Sequence, residues 1–372
     1  MKAVAVIPAR REIAVVDRAE PEGPEPGQLL LRTLEVGVCG TDREIADFEY
    51  GTPPPGDEQL VIGHESLAEV LEAGTDVEGL EPGRLVVAMV RRPCPHAACR
   101  PCRMGHQDFC VTGDFVERGI KEAHGFMAER FTDEPGFLFA VPDELRDVAV
   151  LVEPLTIAEK ALWQLWLVQQ RLPWVDPSAG PERRGEGHTA LVLGSGAVGQ
   201  LGAMALRAAG FETFVYAREP APNEKADAAE SFGATYLSAA EVAPEDLGER
   251  AGGSIDVVYE AAGASQLAFD VLGQLGPNAV FVFTGVPGRK GPIEFDADAV
   301  MRRLVLGNQV ALGTVNAGRS AYEQAIADLA RFRERWPDVL RGLITARHPI
   351  DDAPGLLRDR PAGIKHVVVL AP

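Results

Sequence analysis

The sequence of 372 residues predicts an α/β protein with two domains, a β-rich domain followed by a doubly wound parallel sheet. The length exceeds what one ordinary hydrophobic core covers, which favours two domains. Up to about residue 180, short apolar runs alternate with Gly and Pro, a pattern typical of irregular β-structure. From residue 189 onward, strand patterns alternate with helical ones, and this alternation indicates a parallel sheet covered on both faces.

Four short apolar runs are expected to form strands in the β-rich part. They occupy residues 29–33, 60–63, 67–73 and 84–90. A helix is predicted over residues 152–170, because apolar side chains recur there at helical spacing. Pro173 and the loop at 177–187 end this helix.

The second part is predicted to build its parallel sheet from strands separated by helices. The strands are expected at residues 189–193, 212–216, 234–237, 255–259 and 279–284. The helices are expected at residues 197–209 and 223–232. After residue 313 the pattern predicts a helix at 322–335 and a last strand at 365–370, which fits either domain.

Composition excludes several classes of partner. The net charge of −19 argues against nucleic acid and against anionic membrane surfaces, since both require a basic face. Apolar runs stay below the roughly 18 residues of a membrane span, and the first residues read as a strand rather than a signal peptide. Five cysteines, most of them clustered, fit reduced metal-binding thiols in the cytoplasm.

A cluster of four cysteines predicts a closed zinc site. Cys94, Cys99, Cys102 and Cys110 fall within seventeen residues of one another. Four thiolates satisfy a tetrahedral zinc and leave no open position, so such a site stabilises a lobe rather than performing chemistry. The gap before Cys99 is longer than the common spacing, and His96 inside that gap is an alternative ligand.

A glycine-rich run predicts a dinucleotide-binding site of the Rossmann type. The run follows an apolar strand, opens an Ala-rich helix and consists of Gly194, Ser195, Gly196, Ala197, Val198 and Gly199. Its first glycine permits a tight turn, its second lets the backbone approach a pyrophosphate, and its third lets helix and strand pack closely. Free amides at the start of the helix then meet the phosphate oxygens.

The end of the next strand indicates which dinucleotide binds. An NAD site usually places an acid there for the ribose 2′-hydroxyl. Here the strand ends without an acid, and Arg218 follows in the turn. A guanidinium suits a 2′-phosphate, so the sequence predicts NADP with NAD tolerated. The alternative is that Arg218 is a solvated surface residue and that Glu219 binds the ribose.

Four residues of the first domain are candidates for an open, catalytic zinc site. Cys39 lies in a glycine-flanked turn, His64 and Glu65 are adjacent, and Glu153 stands at the start of the predicted helix. A catalytic zinc takes three ligands of these types and keeps one position for substrate. Each residue also has an ordinary explanation: a small core cysteine, a hydrogen-bonded loop histidine, or a helix-start acid facing the helix dipole.

Taken together, these motifs resemble the zinc-dependent medium-chain dehydrogenases/reductases over essentially the whole chain. The similarity rests on Val-Cys-Gly-Thr-Asp at 38–42, Gly-His-Glu at 63–65, the cysteine cluster and the glycine-rich run. Within the family, the chain resembles most the glucose dehydrogenases of archaea and some bacteria. That similarity is carried by residues 91–93, 105–110, 117–120, 124–126, 153–160 and 313–316.

The resemblance implies a domain organisation. Residues 1–185 and 313–372 would form a GroES-like catalytic domain, with a structural-zinc lobe at 91–113. Residues 186–312 would form the Rossmann domain. Independently of the resemblance, an exposed edge of the second sheet would allow either a homodimer or a homotetramer to assemble.

The resemblance also implies roles for individual residues. Cys39 and His64 would bind the catalytic zinc, with Glu65 and Glu153 completing or exchanging in its coordination. Thr41 would relay the departing proton, and Thr41, Glu153, Glu117 and Asn316 would contact a sugar. The remaining implied cofactor contacts are Ala217, Arg218, Ala261, Gly263, Thr284, Gly285, Val286 and Asn316.

The reaction implied is oxidation of an aldose, D-glucose first, at C1 to the lactone, with hydride transfer to NADP or NAD. An alternative is a zinc enzyme for a polyol, a secondary alcohol or threonine, which would share the fold and both metals. A second alternative is a non-catalytic nucleotide-binding protein. An open metal site argues against it, because a scaffold has no use for one.

Overall fold

The structure is a computed structural model, and it describes residues 1–288 and 291–371. The chain divides into two compact units. The first comprises Met1–Thr156, Asn316–Arg333 and the segment from Ile344 onward. The second comprises Ile157–Val315 and Glu334–Leu343. Each unit buries its own hydrophobic core, one built largely from antiparallel strands and one from a parallel sheet.

The first stretch of the chain supplies most of the strands of the first unit. They are β1 (Lys2–Ile7), β2 (Glu12–Asp17), β3 (Leu29–Gly37), β4 (Leu60–Val61), β5 (Glu65–Ala73), β6 (Leu85–Ala88), β7 (Arg91–Arg92), β8 (Val116–Arg118), β9 (Glu122–Ala123), β10 (Arg130–Asp133) and β11 (Leu138–Ala140). Two short helices lie between them, α1 (Gly40–Ala46) and α2 (Arg100–Arg103).

The second unit begins within α3 (Val152–Gln169) and contains the predicted parallel sheet. Its strands are β12 (Thr189–Leu193), β13 (Glu212–Ala217), β14 (Thr235–Ser238), β15 (Ile255–Glu260), β16 (Leu275–Phe283) and β17 (Val310–Gly313). Its further helices are α4 (Ala197–Ala208), α5 (Glu224–Ser231), α6 (Leu247–Arg250), α7 (Ser265–Leu272) and α8 (Ala297–Leu306). The strand order is β14-β13-β12-β15-β16-β17, and every pairing is parallel.

The C-terminal part of the chain returns to the first unit. It contains α9 (Arg319–Arg335), α10 (Pro337–Gly342), β18 (Ile344–Pro349), α11 (Ala353–Asp359) and β19 (Lys365–Val369). Strand β19 pairs antiparallel with β3 and extends the sheet β11-β6-β5-β3-β19-β18, in which β10 also pairs β3. The last strand therefore completes the first unit rather than the second.

The fold class is confirmed, and the observed division differs from the expected boundaries at residues 157–185, 313–315 and 334–343. All three segments belong to the second unit. Trp166 stacks on Phe211 with ring centroids 5.8 Å apart, and the backbone of Gly185 bonds to Ala209. Trp336 packs against Phe232. These aromatic contacts attach the end of α3 and the segment around α10 to the parallel sheet.

Among the helices at residues 1–288 and 291–371, none combines the length and apolar character that crossing a membrane requires.

Candidate active site

Cys39 is held at the start of α1 by a buried carboxylate. The backbone N–H of Cys39 donates to Oδ2 of Asp42 at 2.8 Å, and the backbone N–H of Gly63 donates to Oδ1 of the same residue at 3.2 Å. Asp42 is fully buried. It therefore joins the turn that carries Cys39 to the turn that carries His64, two segments far apart in sequence.

Three of the candidate zinc ligands meet in the first unit. The ligand atoms of Cys39, His64 and Glu65 all lie within 4.8 Å of one another. Nδ1 of His64 is buried, lies 3.4 Å from Oδ1 of Asp42 and makes no well-aligned hydrogen bond with any residue that the structure describes. A carboxylate beside an imidazole orients the ring of a metal ligand. The donor set of thiolate, imidazole and carboxylate therefore fits zinc.

Glu153 lies near this set without joining it. Within the described residues, the mutually close donors are Cys39, His64 and Glu65. Burial raises the pKa of Glu153 to about 7, although His64 and Lys365 nearby act to lower this pKa. Oγ1 of Thr41, the expected proton relay, lies 4.0 Å from Sγ of Cys39.

Glu65 has a partner that the sequence analysis did not identify. Nζ of Lys365 lies 2.7 Å from Oε1 and 2.6 Å from Oε2 of Glu65, and it also donates to the carbonyl of Val38 at 3.2 Å. Both charged groups are buried. Gly37 makes room for the carboxylate, because a Cβ there would lie 2.0 Å from Oε2. The available signal was a lysine at the start of a strand that ends in three valines, in a chain with few lysines.

The four cysteines of the lobe converge as expected. The sulfur atoms of Cys94, Cys99, Cys102 and Cys110 lie within 4.8 Å of one another, a donor set that fits a closed zinc site. His96 is not needed there, since its exposed side chain pairs with Asp114 instead.

The glycine-rich run has the geometry of a phosphate-binding turn. Gly194 directly follows β12 and adopts a φ of +103°. A Cβ on Gly199 would lie 2.0 Å from the carbonyl oxygen of Gly194, so only glycine allows α4 to approach the strand this closely. Gly196 precedes α4 and faces open space, which leaves its surroundings accessible to a pyrophosphate.

The turn after β13 places two cations and one acid together. Arg218 is exposed next to Ala217, the last residue of the strand. The carboxylate of Glu219 is paired with Nζ of Lys225 at 3.1 Å, and its backbone carbonyl accepts from the hydroxyl of Tyr236 at 2.8 Å. The acid that the alternative interpretation assigned to the ribose is therefore engaged by a lysine.

A buried carboxylate organises the other predicted cofactor segments. Oε1 of Glu260 accepts from the N–H groups of Ala262 and Gly263 at 2.8 and 2.7 Å, and Oε2 accepts from the N–H of Gly285 at 3.2 Å. The hydroxyl of Thr284 donates to the backbone carbonyl of Glu260. Residues 261–263 and 284–286, which include the exposed Val286, are thereby brought together. Glu260 is not among the residues predicted from the sequence.

Two of the four expected sugar-contacting residues, Glu117 and Asn316, bond to each other. Nδ2 of Asn316 donates to Oε1 of Glu117 at 2.9 Å, and the same oxygen accepts from Nε of Arg91 at 3.0 Å. The turn after Glu117 packs against the metal-site segment, because a Cβ on Gly119 would lie 2.5 Å from the carbonyl oxygen of Gly63. Glu117 thus lies on an element that adjoins the segment of His64, and Asn316 bonds to it from a distant part of the chain.

An open three-donor metal set, a closed four-cysteine lobe and a glycine-rich turn on a parallel sheet define a zinc-dependent medium-chain dehydrogenase/reductase. Residues 25–143 match the alcohol dehydrogenase GroES-like domain, and residues 146–370 match the glucose dehydrogenase C-terminus. The chain belongs to the archaeal-type glucose dehydrogenases of this family.

Relatives match the chain from end to end. The glucose 1-dehydrogenase of Methanocella arvoryzae is 38% identical over 369 residues, 99% of each chain. Glucose 1-dehydrogenase 2 of Vulcanisaeta moutnovskia is 38% identical over 349 residues, 93% of this chain and 92% of that one. The solved structure of Haloferax mediterranei glucose dehydrogenase in complex with NADP, Zn and gluconolactone has a TM-score of 0.88 at 31% identity and covers 100% of both chains.

Proposed function

We propose that this chain oxidises D-glucose at C1 to gluconolactone and reduces NADP, or NAD, in the same step. One observation carries the proposal: the donor set of Cys39, His64 and Glu65 is intact in a chain that aligns end to end with glucose 1-dehydrogenases. The C1 hydrogen leaves as hydride to the oxidised nicotinamide, and the C1 hydroxyl loses its proton.

The residues of the first unit would have separate roles in this reaction. Cys39 and His64 would hold the zinc, and Glu65 or Glu153 would complete its coordination. When bound, zinc supplies Lewis acidity to the substrate hydroxyl. Thr41 relays the proton that this hydroxyl loses, because its own hydroxyl accepts that proton and releases its hydrogen towards solvent. Glu117 and Asn316 bond to other hydroxyls and so determine which carbon reacts, since a polar site rejects substrates that leave its groups unpaired.

Initial rates with glucose, galactose, xylose, sorbitol and ethanol, each with NADP and NAD, test the proposal. The highest kcat/KM is expected for glucose. A preference for sorbitol or ethanol would instead establish a polyol or simple-alcohol enzyme on the same fold. Absence of turnover in protein resupplied with zinc would favour the non-catalytic alternative.

NADP is the proposed preferred cofactor, because Arg218 is exposed at the end of β13 while Glu219 is paired with Lys225. Arg218→Ala should weaken NADP far more than NAD. Loss of one charge-assisted phosphate contact costs about 1.5–3 kcal/mol, or on the order of tenfold to a hundredfold in affinity. Kd values from fluorescence titration measure both cofactors. Arg183→Ala, at another exposed arginine of the second unit, is the control and should change neither Kd. Equal weakening of both cofactors would contradict this role for Arg218.

The proposed assembly is a homodimer or homotetramer formed through the edge of the second sheet. Strand β17 ends that sheet, and the preceding helix exposes Met301, Val305 and Leu306 at 65%, 72% and 69%. An open edge beside exposed apolar side chains favours association with another copy. Light scattering would give the mass. The proposed compartment is the cytoplasm, which suits five free thiols.

A further inference from the structure

We propose that Arg91 is a positioning residue that fixes the sugar-contacting carboxylate of Glu117 and ties it to the four-cysteine lobe. The lobe would then contribute to substrate affinity as well as to stability. This inference rests on the proposed function, in which Glu117 contacts the sugar.

Arg91 fixes one oxygen of Glu117. The two residues lie opposite each other in the antiparallel pair β7–β8. Nε and Nη2 of Arg91 each lie 3.0 Å from Oε1 of Glu117, and Nδ2 of Asn316 reaches the same oxygen at 2.9 Å. Within the described parts of the chain, the hydrogen bonds to the carboxylate of Glu117 are accepted by Oε1. Oε2 is therefore the oxygen that can accept from a sugar hydroxyl.

The same guanidinium contacts the lobe. Nη1 of Arg91 donates to the backbone carbonyl of Asp108 at 3.4 Å. Asp108 belongs to a single 3₁₀ turn, Gln107–Phe109, which leads directly into Cys110. The ring of Phe115 lies 3.7 Å from the guanidinium carbon and holds the group in place from its face. The three nitrogens of a guanidinium point in fixed, different directions, so Arg91 reaches both partners at once, whereas a lysine would have to bring its single nitrogen to both.

The lobe also approaches the segment that carries Asn316. A Cβ on Gly318 would lie 2.9 Å from Oδ1 of Asp108, so the chain after Asn316 passes directly against the 3₁₀ turn. Both hydrogen-bonding partners of Glu117 are thus in or next to segments that touch the lobe. Loosening the cysteine cluster would release the carbonyl of Asp108 and, through Arg91, the orientation of Glu117.

Two substitutions of Arg91 distinguish orientation of the Glu117 carboxylate from a purely structural role of Arg91. Arg91→Met keeps an apolar chain against Phe115 and removes every N–H donor, whereas Arg91→Lys keeps one charged nitrogen. We expect Arg91→Met to raise KM for glucose and Kd for gluconolactone about tenfold, with the rate on ethanol changed less than twofold. Arg91→Lys should recover part of the loss. Arg103→Met, at an exposed lobe position without a contact to Glu117, is the control.

Double variants test whether Arg91 acts through Glu117 and whether it links Glu117 to the lobe. In a Glu117→Gln background, Arg91→Met should add little further loss, because its effect passes through that carboxylate. Cys102→Ser, measured on its folded fraction, should raise Kd for gluconolactone in the wild-type background and not in Arg91→Met. Additive effects, or equal losses for glucose and ethanol, would overturn the role of Arg91 while leaving glucose oxidation by the wild type intact. Absence of glucose oxidation by the wild type would overturn the proposed function and this inference together.

Discussion

Cys39→Ala is expected to abolish turnover and to lower the zinc content from two ions per chain to one. The substitution removes the thiolate from the set formed with His64 and Glu65. The Lewis acidity of a bound metal contributes several kcal/mol to the transition state, so kcat should fall by at least about 10³-fold. The fold should survive, because the substitution keeps the backbone N–H of residue 39 that donates to the buried carboxylate of Asp42. Metal analysis, steady-state rates and circular dichroism measure the three outcomes.

The matched comparison is Cys102→Ser in the lobe. It should also remove one zinc, but it should lower the melting temperature first, because the binding free energy of a closed structural site is partly folding free energy. Its folded fraction should still bind NADP. Two zinc ions retained in Cys39→Ala, or a lobe variant with an unchanged melting temperature and one lost zinc, would contradict this assignment of the two sites.

The two metal-donor sets could be predicted because each has a local sequence signature. The four cysteines are close in sequence, so their meeting needs only one short lobe. Cys39 and His64 are marked by glycines, and the structure shows why. Gly37 makes room for Glu65, and Gly63 lies against Gly119. The glycine-rich run was predictable for the same reason, since a strand, a turn and a helix follow one another without interruption.

Partners that depend on non-local strand register were not predictable. Lys365 reaches Glu65 across 300 residues, because β19 pairs with β3 beside β5. Arg91 meets Glu117 through the pairing of two short strands, and Glu260 is positioned by the ends of parallel strands. Strands β17 and β18 and helices α7 and α8 were also not predicted. Strand β17 and helix α7 are apolar runs of only four and eight residues, and the periodicity of such short runs does not separate helix from strand.

The buried ion pair of Lys365 and Glu65 leads to the second large expected effect. Burial lowers the pKa of Lys365, but the charges of Glu65 and Cys39 outweigh it, so the pKa is raised and the lysine stays charged. Removing one member of such a pair leaves an uncompensated buried charge and costs about 3–5 kcal/mol. Lys365→Met should therefore lower the melting temperature of the metal-free protein by roughly 10 °C, given 2–4 °C per kcal/mol for a unit of this size.

Two further variants test whether the lost stability comes from the unpaired buried charge of Glu65. Lys2→Met breaks the exposed pair with Asp351, which lies at 2.8 Å with both side chains in solvent, and should leave the melting temperature nearly unchanged. Lys365→Met combined with Glu65→Met removes both buried charges and should recover most of the lost stability, because apolar groups of similar shape can replace a buried pair. Calorimetry on the three variants, without zinc and with it, decides the outcome. If Lys365→Met costs no more than Lys2→Met without zinc, Lys365 does not compensate the charge of Glu65. A smaller loss with zinc than without it would show that the metal replaces the lysine as the partner of this carboxylate.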